Sequence, residues 1–221
     1  AKNRMAGGDW VEEGFNPVKG YLRKRAKRGL KEGQPRTRYF THAEEQAMLS
    51  GTNTRLREAI MLAIDTGLRE QEQFSLTWPQ IDLLNCTIRT TRDTKNGRAR
   101  SVPLPERSAQ FLAQWKAKNT GPVASLYVFH RPDGSRFKNF YRGFKTLTRR
   151  LGLGEVQWHD LRRTAGCRWL QDYGKSLHEV SVLLGHSSYG VTERSYAFLD
   201  QHRIATETAQ FPAQLRAEKA A

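Results

Sequence analysis

The sequence has few cysteines and no long apolar run. Its two cysteines, Cys86 and Cys167, stand alone and lack the spacing of metal ligands. We therefore expect reduced thiols in a cytosolic protein, without disulfides. No apolar stretch approaches the ~18 residues that a membrane-spanning helix needs, and no signal peptide is visible. These absences argue against a secreted, disulfide-bonded protein and against a membrane-spanning one.

Common phosphate and metal motifs are absent as well. The chain contains no Gly-rich P-loop, no cluster of carboxylates and no Cys/His pattern typical of zinc. It also contains no internal repeat and no low-complexity tract. We therefore expect a protein without a nucleotide cofactor and without a resident metal ion.

Acidic residues are scarce relative to basic ones. Among 221 residues, 37 are Lys or Arg and 22 are Asp or Glu, so the formal net charge is +15. This charge favours a polyanionic partner, with nucleic acid the first candidate and an anionic membrane surface the second. The membrane alternative is weaker because no strong basic amphipathic helix is evident. Hydrophobic residues make up 38% of the chain, enough to bury the core of one domain with an appended piece.

Periodicity and capping motifs predict a mainly α-helical protein with a small antiparallel β-hairpin, an α+β fold. A helix is predicted to begin near residue 42, behind the capping box of Thr41 and Glu44. A second, buried helix is predicted from about residue 54 to a left-handed cap at Gly67. The other predicted elements are a helix over 105–118, a strand-like run over 126–129, a helix over 136–150 and a helical segment over 200–210.

Two further patterns concern the hairpin and the helix over 136–150. Alternating residues 86–91 and 100–104 flank Asn96-Gly97, a sequence typical of a tight hairpin turn, with Lys95 at the tip. The helix over 136–150 carries an aromatic stripe whose helical spacing favours a core role over base stacking. Its members are Phe137, Phe140, Tyr141 and Phe144.

The stretch from Trp158 to Tyr196 concentrates groups that bind anions. His159 and Arg162 are three positions apart in a segment with helical periodicity, so their side chains lie on one helix face and can converge on one group. Gly166 falls on the same face and leaves room for something bulky. The sequence therefore predicts a binding face on this helix.

A second short helical run ends in Leu-Gly-His. Gly185 suits a helix C-terminus and places His186 directly after the end of the helix. Tyr196 follows ten residues later. Each residue alone is more often structural than functional. Together, Arg, His and Tyr without a cluster of carboxylates indicate a site for an anionic oxygen, with no metal to hold.

This stretch resembles the catalytic core of the tyrosine recombinases, the phage-integrase group. The family box, His-x-Leu-Arg followed by Leu-Gly-His and Tyr, is matched by His159, Leu161, Arg162, Leu184, Gly185, His186 and Tyr196. Upstream, Thr-Gly-Leu-Arg at 66–69 resembles the first arginine motif, and the hairpin around Lys95 resembles the catalytic lysine hairpin. The resemblance covers roughly residues 36–210 and implies the tyrosine recombinase catalytic fold.

The resemblance also implies the chemistry. It assigns catalytic roles to Arg69, Lys95, His159, Arg162, His186 and Tyr196, with Glu72 as a supporting acid. The arginines and His186 would hold a DNA phosphate, while His159 would act as a base or as a further donor. The tyrosine would attack to form a 3′-phosphotyrosine, and the lysine would protonate the departing 5′ oxygen. Such an exchange of phosphodiesters needs no ATP and no metal.

The tyrosine departs from the commonest family spacing. In much of the family the nucleophile lies nine residues after the Leu-Gly-His histidine, a position held here by Ser195. One residue turns a helical side chain by about 100°. Tyr196 is nevertheless the expected nucleophile, because Ser195 has no rationale in this setting. A loop after Gly190 would absorb the difference.

The resemblance implies a domain order and a set of partners. Residues 1–16 would be the stub of an upstream DNA-binding domain, 17–35 a basic linker, and 36–221 the catalytic domain with a C-terminal tail over 200–221, so the chain would be part of a longer protein. The expected partner is double-stranded DNA, bound by a homo-tetramer on two sites, with possible accessory DNA-bending proteins. The expected location is cytoplasmic and DNA-associated, without membrane contact.

Two alternatives stay open at the level of the sequence. A type IB topoisomerase-like enzyme would share the tyrosine chemistry, although the short chain and the order of the motifs favour a site-specific recombinase or integrase. A non-catalytic DNA-binding module would need only the charge and the aromatic residues. The target DNA sequence, and the choice between integration, excision and resolution, are not encoded in any recognised motif.

Overall fold

The computed structural model of the chain describes residues 2–4, 10–12, 36–91, 99–120, 124–186 and 188–199. The chain divides into two compact units, Ala1–Pro35 and Arg36–Ala221. In the first unit, strands β1 (Lys2–Arg4) and β2 (Trp10–Glu12) pair in antiparallel fashion. The linker predicted over 17–35 and the tail predicted over 200–221 lie outside the described residues, so both remain predictions.

The described part of the second unit is mostly helical, as predicted. Its helices are α1 (His42–Ser50), α2 (Thr54–Thr66), α3 (Glu70–Phe74), α4 (Glu106–Lys118), α5 (Tyr141–Arg150), α6 (Trp158–Gln171), α7 (Leu177–Leu184) and α8 (189–199). In this described part, no helix combines the length and the apolarity that crossing a membrane requires.

Helices α1 and α2 begin and end where local sequence signals place them. The side chain of Thr41 accepts from the backbone of Glu44, and the Glu44 carboxylate accepts from the backbone of Thr41, so the predicted capping box is confirmed. Helix α2 is buried on nearly all sides and packs along α6. It ends at Gly67, whose φ of 57° is the predicted left-handed cap.

A small antiparallel sheet follows α3. Its strands are β3 (Ile81–Asp82), β4 (Thr87–Thr90) and β5 (Arg100–Pro103), in the order β3-β4-β5. Ile88 pairs with Val102 and both are buried, so one face of the sheet packs on the core. The predicted β4–β5 hairpin is confirmed, whereas its turn at Asn96-Gly97 lies outside the described residues.

Two predicted elements differ in the structure. The strand expected over 126–129 is reduced to an isolated bridge between Thr77 and Tyr127. The helix expected over 136–150 begins only at Tyr141, because the preceding residues run irregularly across the core. There Arg136 donates to the carbonyl of Phe74, and the rings of Phe137 and Phe140 pack on the ring of Phe74.

The aromatic stripe belongs mainly to the core. Phe144 is buried, and Phe137 and Phe140 are half-buried against the core cluster. The prediction of a core role is therefore confirmed for these three residues. It is wrong for Tyr141, which is 63% exposed at the start of α5. Three of the four rings are consequently engaged in packing.

Candidate active site

Arg69 lies directly after the turn that ends α2. At that turn Gly67 packs so closely that an added Cβ would lie 2.9 Å from Leu184. Arg69 then stands at the N-cap of α3. Its backbone N–H donates to Glu72 Oε2 at 2.8 Å, and its guanidinium donates through Nη1 to Oε1 at 2.9 Å. Glu72 therefore orients the guanidinium of Arg69, which remains 29% exposed.

Arg162 reaches the same region from α6 and is buried. Its Nη1 donates to the carbonyl of Gly67 and its Nη2 to the carbonyl of Leu184, both at 2.6 Å. Burial, together with the charges of Arg69 and Arg100, lowers the pKa of Arg162. The guanidinium keeps its proton at neutral pH because its ordinary pKa is far higher. Arg162 thus ties the end of α2 to the end of α7.

The C-terminus of α7 collects three guanidinium groups. The helix ends at Gly185, which adopts a left-handed φ of 64°. The last carbonyls of a helix lack intrahelical partners and carry partial negative charge, so they attract cations. Consecutive carbonyls here accept from separate arginines: Leu183 from Arg100, Leu184 from Arg162, and Gly185 from Arg69.

Arg100 is the site residue that sequence reasoning missed. It was assigned only to a strand, yet its side chain is 4% exposed and forms an ion pair with Glu72 at 2.9 Å. The signal was present in the alternation of β5, because residues two apart in a strand share a face. Arg100 lies two positions before the buried Val102. The pattern therefore indicated an inward-facing charge that needs a partner.

Glu72 is the carboxylate that balances this group. Burial alone would raise its pKa, but hydrogen bonds and charge from Arg100, and then from Arg69, outweigh burial and hold the pKa at about 2. The carboxylate is thus ionised at neutral pH. With Arg162 nearby, the group contains three guanidiniums and one carboxylate, so it keeps a net positive charge and fits an anionic oxygen.

His186 follows Gly185 at the end of α7, as predicted. Its ring is half-buried and its Nδ1 lies 2.7 Å from the hydroxyl of Thr192. Burial, and then the charges of Arg162 and Arg69, lower its pKa to about 4, so the ring is neutral at pH 7. When Thr192 donates to Nδ1, the hydrogen sits on Nε2 and can be donated to a ligand.

His159 lies in the first turn of α6, one turn before Arg162. The adjacent Asp160 accepts from the backbone of Gln157 at 2.8 Å and pairs with Arg36 at 3.0 Å, which fixes this turn. His159 is exposed to solvent. Desolvation by its neighbours, and then the charge of Arg162, lower its pKa, so the ring is neutral and able to accept a proton.

Tyr196 lies on α8 with its ring packed against Gly166 of α6. The residue is only 3% exposed. A Cβ added to Gly166 would lie 2.9 Å from Cε1 of the ring and closer still to Cζ and the hydroxyl. The prediction that Gly166 leaves room for something bulky is therefore confirmed. Burial, and then the neighbouring Cys167, raise the pKa of the phenol.

Tyr196 and its neighbour Ser195 have different surroundings on α8. Residues 189–199 are continuously helical, and Gly190 lies inside the first turn of the helix. The prediction of a loop after Gly190 is therefore wrong. On this helix the hydroxyl of Ser195 donates back to the carbonyl of Val191 at 2.7 Å. The side chain at 196 instead packs against Gly166 of α6.

The structure thus gathers most of the predicted residues in one region. Arg69, Arg162 and His186 surround the C-terminus of α7, and Tyr196 packs one turn beyond Arg162 along α6. Lys95 lies outside the described residues, so its expected role stays a prediction. Across the described ranges, no group of three or more His, Cys, Asp or Glu residues has the arrangement of a metal site.

Comparison with protein families and curated sequences gives a consistent match. The model of the phage integrase family matches residues 38–203. The shufflon-specific DNA recombinase of Escherichia coli is 30% identical over 162 residues, covering 72% of this chain and 40% of that protein. Tyrosine recombinase XerC of Roseiflexus sp. (strain RS-1) is 31% identical over 159 residues, covering 67% and 50%. The chain spans about half the length of the curated relatives it matches.

Solved structures show the same fold. A crystal structure of XerA recombinase superposes with a TM-score of 0.63 at 20% identity, covering 86% of this chain and 77% of that one. The XerH site-specific recombinase, bound to a palindromic difH substrate after cleavage, superposes with a TM-score of 0.67 at 22% identity, covering 82% and 55%.

Proposed function

Because the chain belongs to the phage integrase family, we propose that it carries out site-specific DNA recombination or integration by cleaving and rejoining DNA strands. Tyr196 is the nucleophile, and the covalent intermediate is a 3′-phosphotyrosine. The observation that carries this proposal is the convergence of the two catalytic arginines, Arg69 and Arg162, on the C-terminus of α7, with Tyr196 packed one helical turn beyond Arg162.

The guanidinium groups bind the phosphate. Each guanidinium has five N–H donors. Arg69 donates through Nη1 to Glu72 and through Nη2 to Gly185, and its side chain stays partly exposed. Arg69 holds one non-bridging oxygen. Arg162, which is 3% exposed, holds the other once α8 moves away from α6, and the neutral His186 donates a further hydrogen bond. Charge accumulates on these oxygens during attack, so fixed donors stabilise the transition state more than the ground state.

The transfer then exchanges one phosphodiester for another. The Tyr196 oxygen forms a bond to phosphorus as the bond from phosphorus to the 5′ oxygen breaks. His159 accepts the phenolic proton, and Lys95 gives a proton to the departing 5′ oxygen. A second DNA strand reverses the step by the same route. Because one ester replaces another, no nucleotide cofactor or metal is required.

The proposed DNA substrate fits both the charge of the chain and its relatives. The formal charge of +15 suits a polyanion, and XerH, which shares this fold, is bound to difH substrate in its structure. Within this proposal, four copies act on two DNA sites, with accessory DNA-bending proteins. Residues 1–16 belong to a DNA-binding domain and residues 17–35 are the basic linker that follows it. The tail over 200–221 docks on a neighbouring copy, and the protein works in the cytoplasm.

Trapping the covalent adduct tests the proposed function. A pool of nicked duplexes with randomised sequence around the nick releases a short 5′-hydroxyl fragment on cleavage, so the protein stays attached to DNA. We expect the parent chain, in buffer containing EDTA, to form a DNA adduct that survives SDS. Tyr196→Phe is expected to form none, because it lacks the attacking oxygen.

Tyr189→Phe is the matched control. It makes the same chemical change on the same helix, at a side chain that is 48% exposed. We expect its adduct yield to equal that of the parent. Equal adducts from the parent and Tyr196→Phe, or no adduct from the parent with any duplex of the pool, would contradict the proposal.

A further inference from the structure

Arg100 joins three parts of the site from one buried position. Its Nε donates to the carbonyl of Leu183 at 2.6 Å, and Nη1 and Nη2 donate to the two carboxylate oxygens of Glu72 at 3.0 and 2.9 Å. Nη1 also lies 3.4 Å from the hydroxyl of Thr90 on β4. The sheet, α3 and the C-terminus of α7 are thus connected through a single guanidinium.

The fold makes room for this side chain. A Cβ added to Gly185 would lie 2.9 Å from Nη1 of Arg100 and 3.0 Å from its Cδ. Gly185 therefore serves two needs at once, the left-handed turn that ends α7 and the close approach of the guanidinium. A side chain that merely filled space on β5 would not need a glycine at position 185 to approach α7 so closely.

Arg100 and Arg69 share one carboxylate but differ in exposure. Each donates two hydrogen bonds to Glu72, Arg69 through its backbone N–H and Nη1 and Arg100 through Nη1 and Nη2. The side chain of Arg69 is 29% exposed, whereas that of Arg100 is 4% exposed. All three guanidinium nitrogens of Arg100 already donate to Leu183 or Glu72, whereas Arg69 keeps an exposed part that an incoming phosphate can reach. Both arginines donate to both oxygens of Glu72, which fixes the carboxylate and, through it, Arg69.

We propose that Arg100 is a positioning residue for the strand-transfer reaction: it holds Glu72, Arg69 and the last turn of α7 in the geometry that receives the phosphate, without touching DNA. The proposal rests on the function proposed above. The Leu183 carbonyl held by Arg100 is adjacent to the Leu184 and Gly185 carbonyls that receive Arg162 and Arg69. A shift of this turn therefore displaces both phosphate-binding arginines.

The test separates the cleavage rate from DNA binding. A nicked duplex selected by the parent chain is used under single-turnover conditions, with the maximal cleavage rate and the half-saturating protein concentration measured separately. For Arg100→Gln we expect the maximal rate to fall by about 100-fold, the scale of a misplacement of about 1 Å. The half-saturating concentration is expected to change by less than about threefold, since Arg100 makes no DNA contact.

Matched variants exclude a loss of folding as the cause. Rates are normalised to the folded fraction measured by circular dichroism. Arg100→Lys, which keeps the charge but not the fork, is expected to recover part of the rate. Arg89 lies in the same sheet, and its side chain is 75% exposed. The variant Arg89→Gln is therefore expected to leave the rate unchanged.

The double variant with Glu72→Gln identifies the route. Because Arg100 and Glu72 act largely as one unit, we expect the double variant to lose less rate than the product of the two single losses. Multiplying losses, or a parent-like rate for Arg100→Gln, would overturn the role of Arg100 and leave the proposed function standing. Absence of any adduct from the parent would overturn both.

Discussion

At residue 166 the absence of a side chain decides where the tyrosine lies. Gly166→Ala puts a methyl group into the space held by the ring of Tyr196. Although alanine favours a helix more than glycine does, by up to about 1 kcal/mol, we expect this overpacking to lower the free energy of unfolding by about 1–3 kcal/mol. Urea unfolding followed by circular dichroism measures the change.

Gly190→Ala is the control for helix propensity. A Cβ at Gly190 meets no atom within 4 Å, so this variant is expected to be as stable as the parent or more stable by up to about 1 kcal/mol. Equal effects at the two glycines would show that Tyr196 does not lie against α6 in solution.

The neutral state of His186 gives the fold a dependence on pH. Its folded pKa is about 4, below the ordinary 6.5. Between these values the unfolded chain binds more protons than the folded one, so the free energy of unfolding falls as pH is lowered. Glu72 stays ionised in this window because its pKa is about 2. His186 therefore makes the folded protein less stable in acid than at neutral pH.

Urea unfolding at about pH 7 and about pH 5 tests this dependence. We expect the parent to lose stability at the lower pH and His186→Gln to lose less, since glutamine does not titrate. His159, whose pKa is also lowered, leaves a residual dependence. His178→Gln, at an exposed position on α7, is the control and is expected to retain the loss of the parent. Identical slopes for His186→Gln and the parent would contradict the account.

At the scale of elements, the proposed reaction requires α8 to change its position. Tyr196 is 3% exposed against α6, and a DNA phosphorus cannot reach an oxygen in that environment. We expect selected DNA, added to Tyr196→Phe so that cleavage does not intervene, to increase hydrogen–deuterium exchange across residues 189–199. Helix α1, behind its capping box, is the internal reference. Unchanged exchange in α8, with DNA bound, would contradict this requirement.

Elements defined by local signals were predictable from sequence. The capping box at Thr41 and the left-handed turn at Gly67 are properties of a few adjacent residues, and both were located correctly. The start of α5 was not, because the helical spacing of Phe137 and Phe140 also suits an irregular segment that packs on Phe74. That choice depends on tertiary contacts, which local periodicity does not contain.

The site shows the same division between local and tertiary information. The spacing of His159 and Arg162 placed them on one face of a helix, and Gly166 indicated a space on that face. The contacts of Arg100 were not found, because they are distant in sequence. Glu72 lies 28 positions before Arg100, and Leu183 lies 83 positions after it. Alternation in β5 is a signal that Arg100 faces inward, but the sequence analysis did not use it, and only the fold shows which carboxylate and which carbonyl receive the guanidinium.

At the scale of the whole molecule, the net charge sets how binding responds to salt. With a formal charge of +15, the chain is expected to bind duplex DNA largely through phosphates and to release counterions. The logarithm of the association constant of Tyr196→Phe should fall linearly with the logarithm of salt concentration, by about 0.9 per phosphate neutralised. Fluorescence anisotropy across a salt series measures the slope. A slope near zero would exclude a phosphate-dominated interface.

The most direct measurement is peptide mapping by mass spectrometry of the trapped protein–DNA adduct. The account predicts a single modified peptide in which the oxygen of Tyr196 is esterified to a 3′-phosphate, with a free 5′-hydroxyl on the released strand. A linkage at Ser195 or Tyr189, or attachment through a 5′-phosphate, would contradict the assignment of the phenol packed on Gly166 as the attacking group.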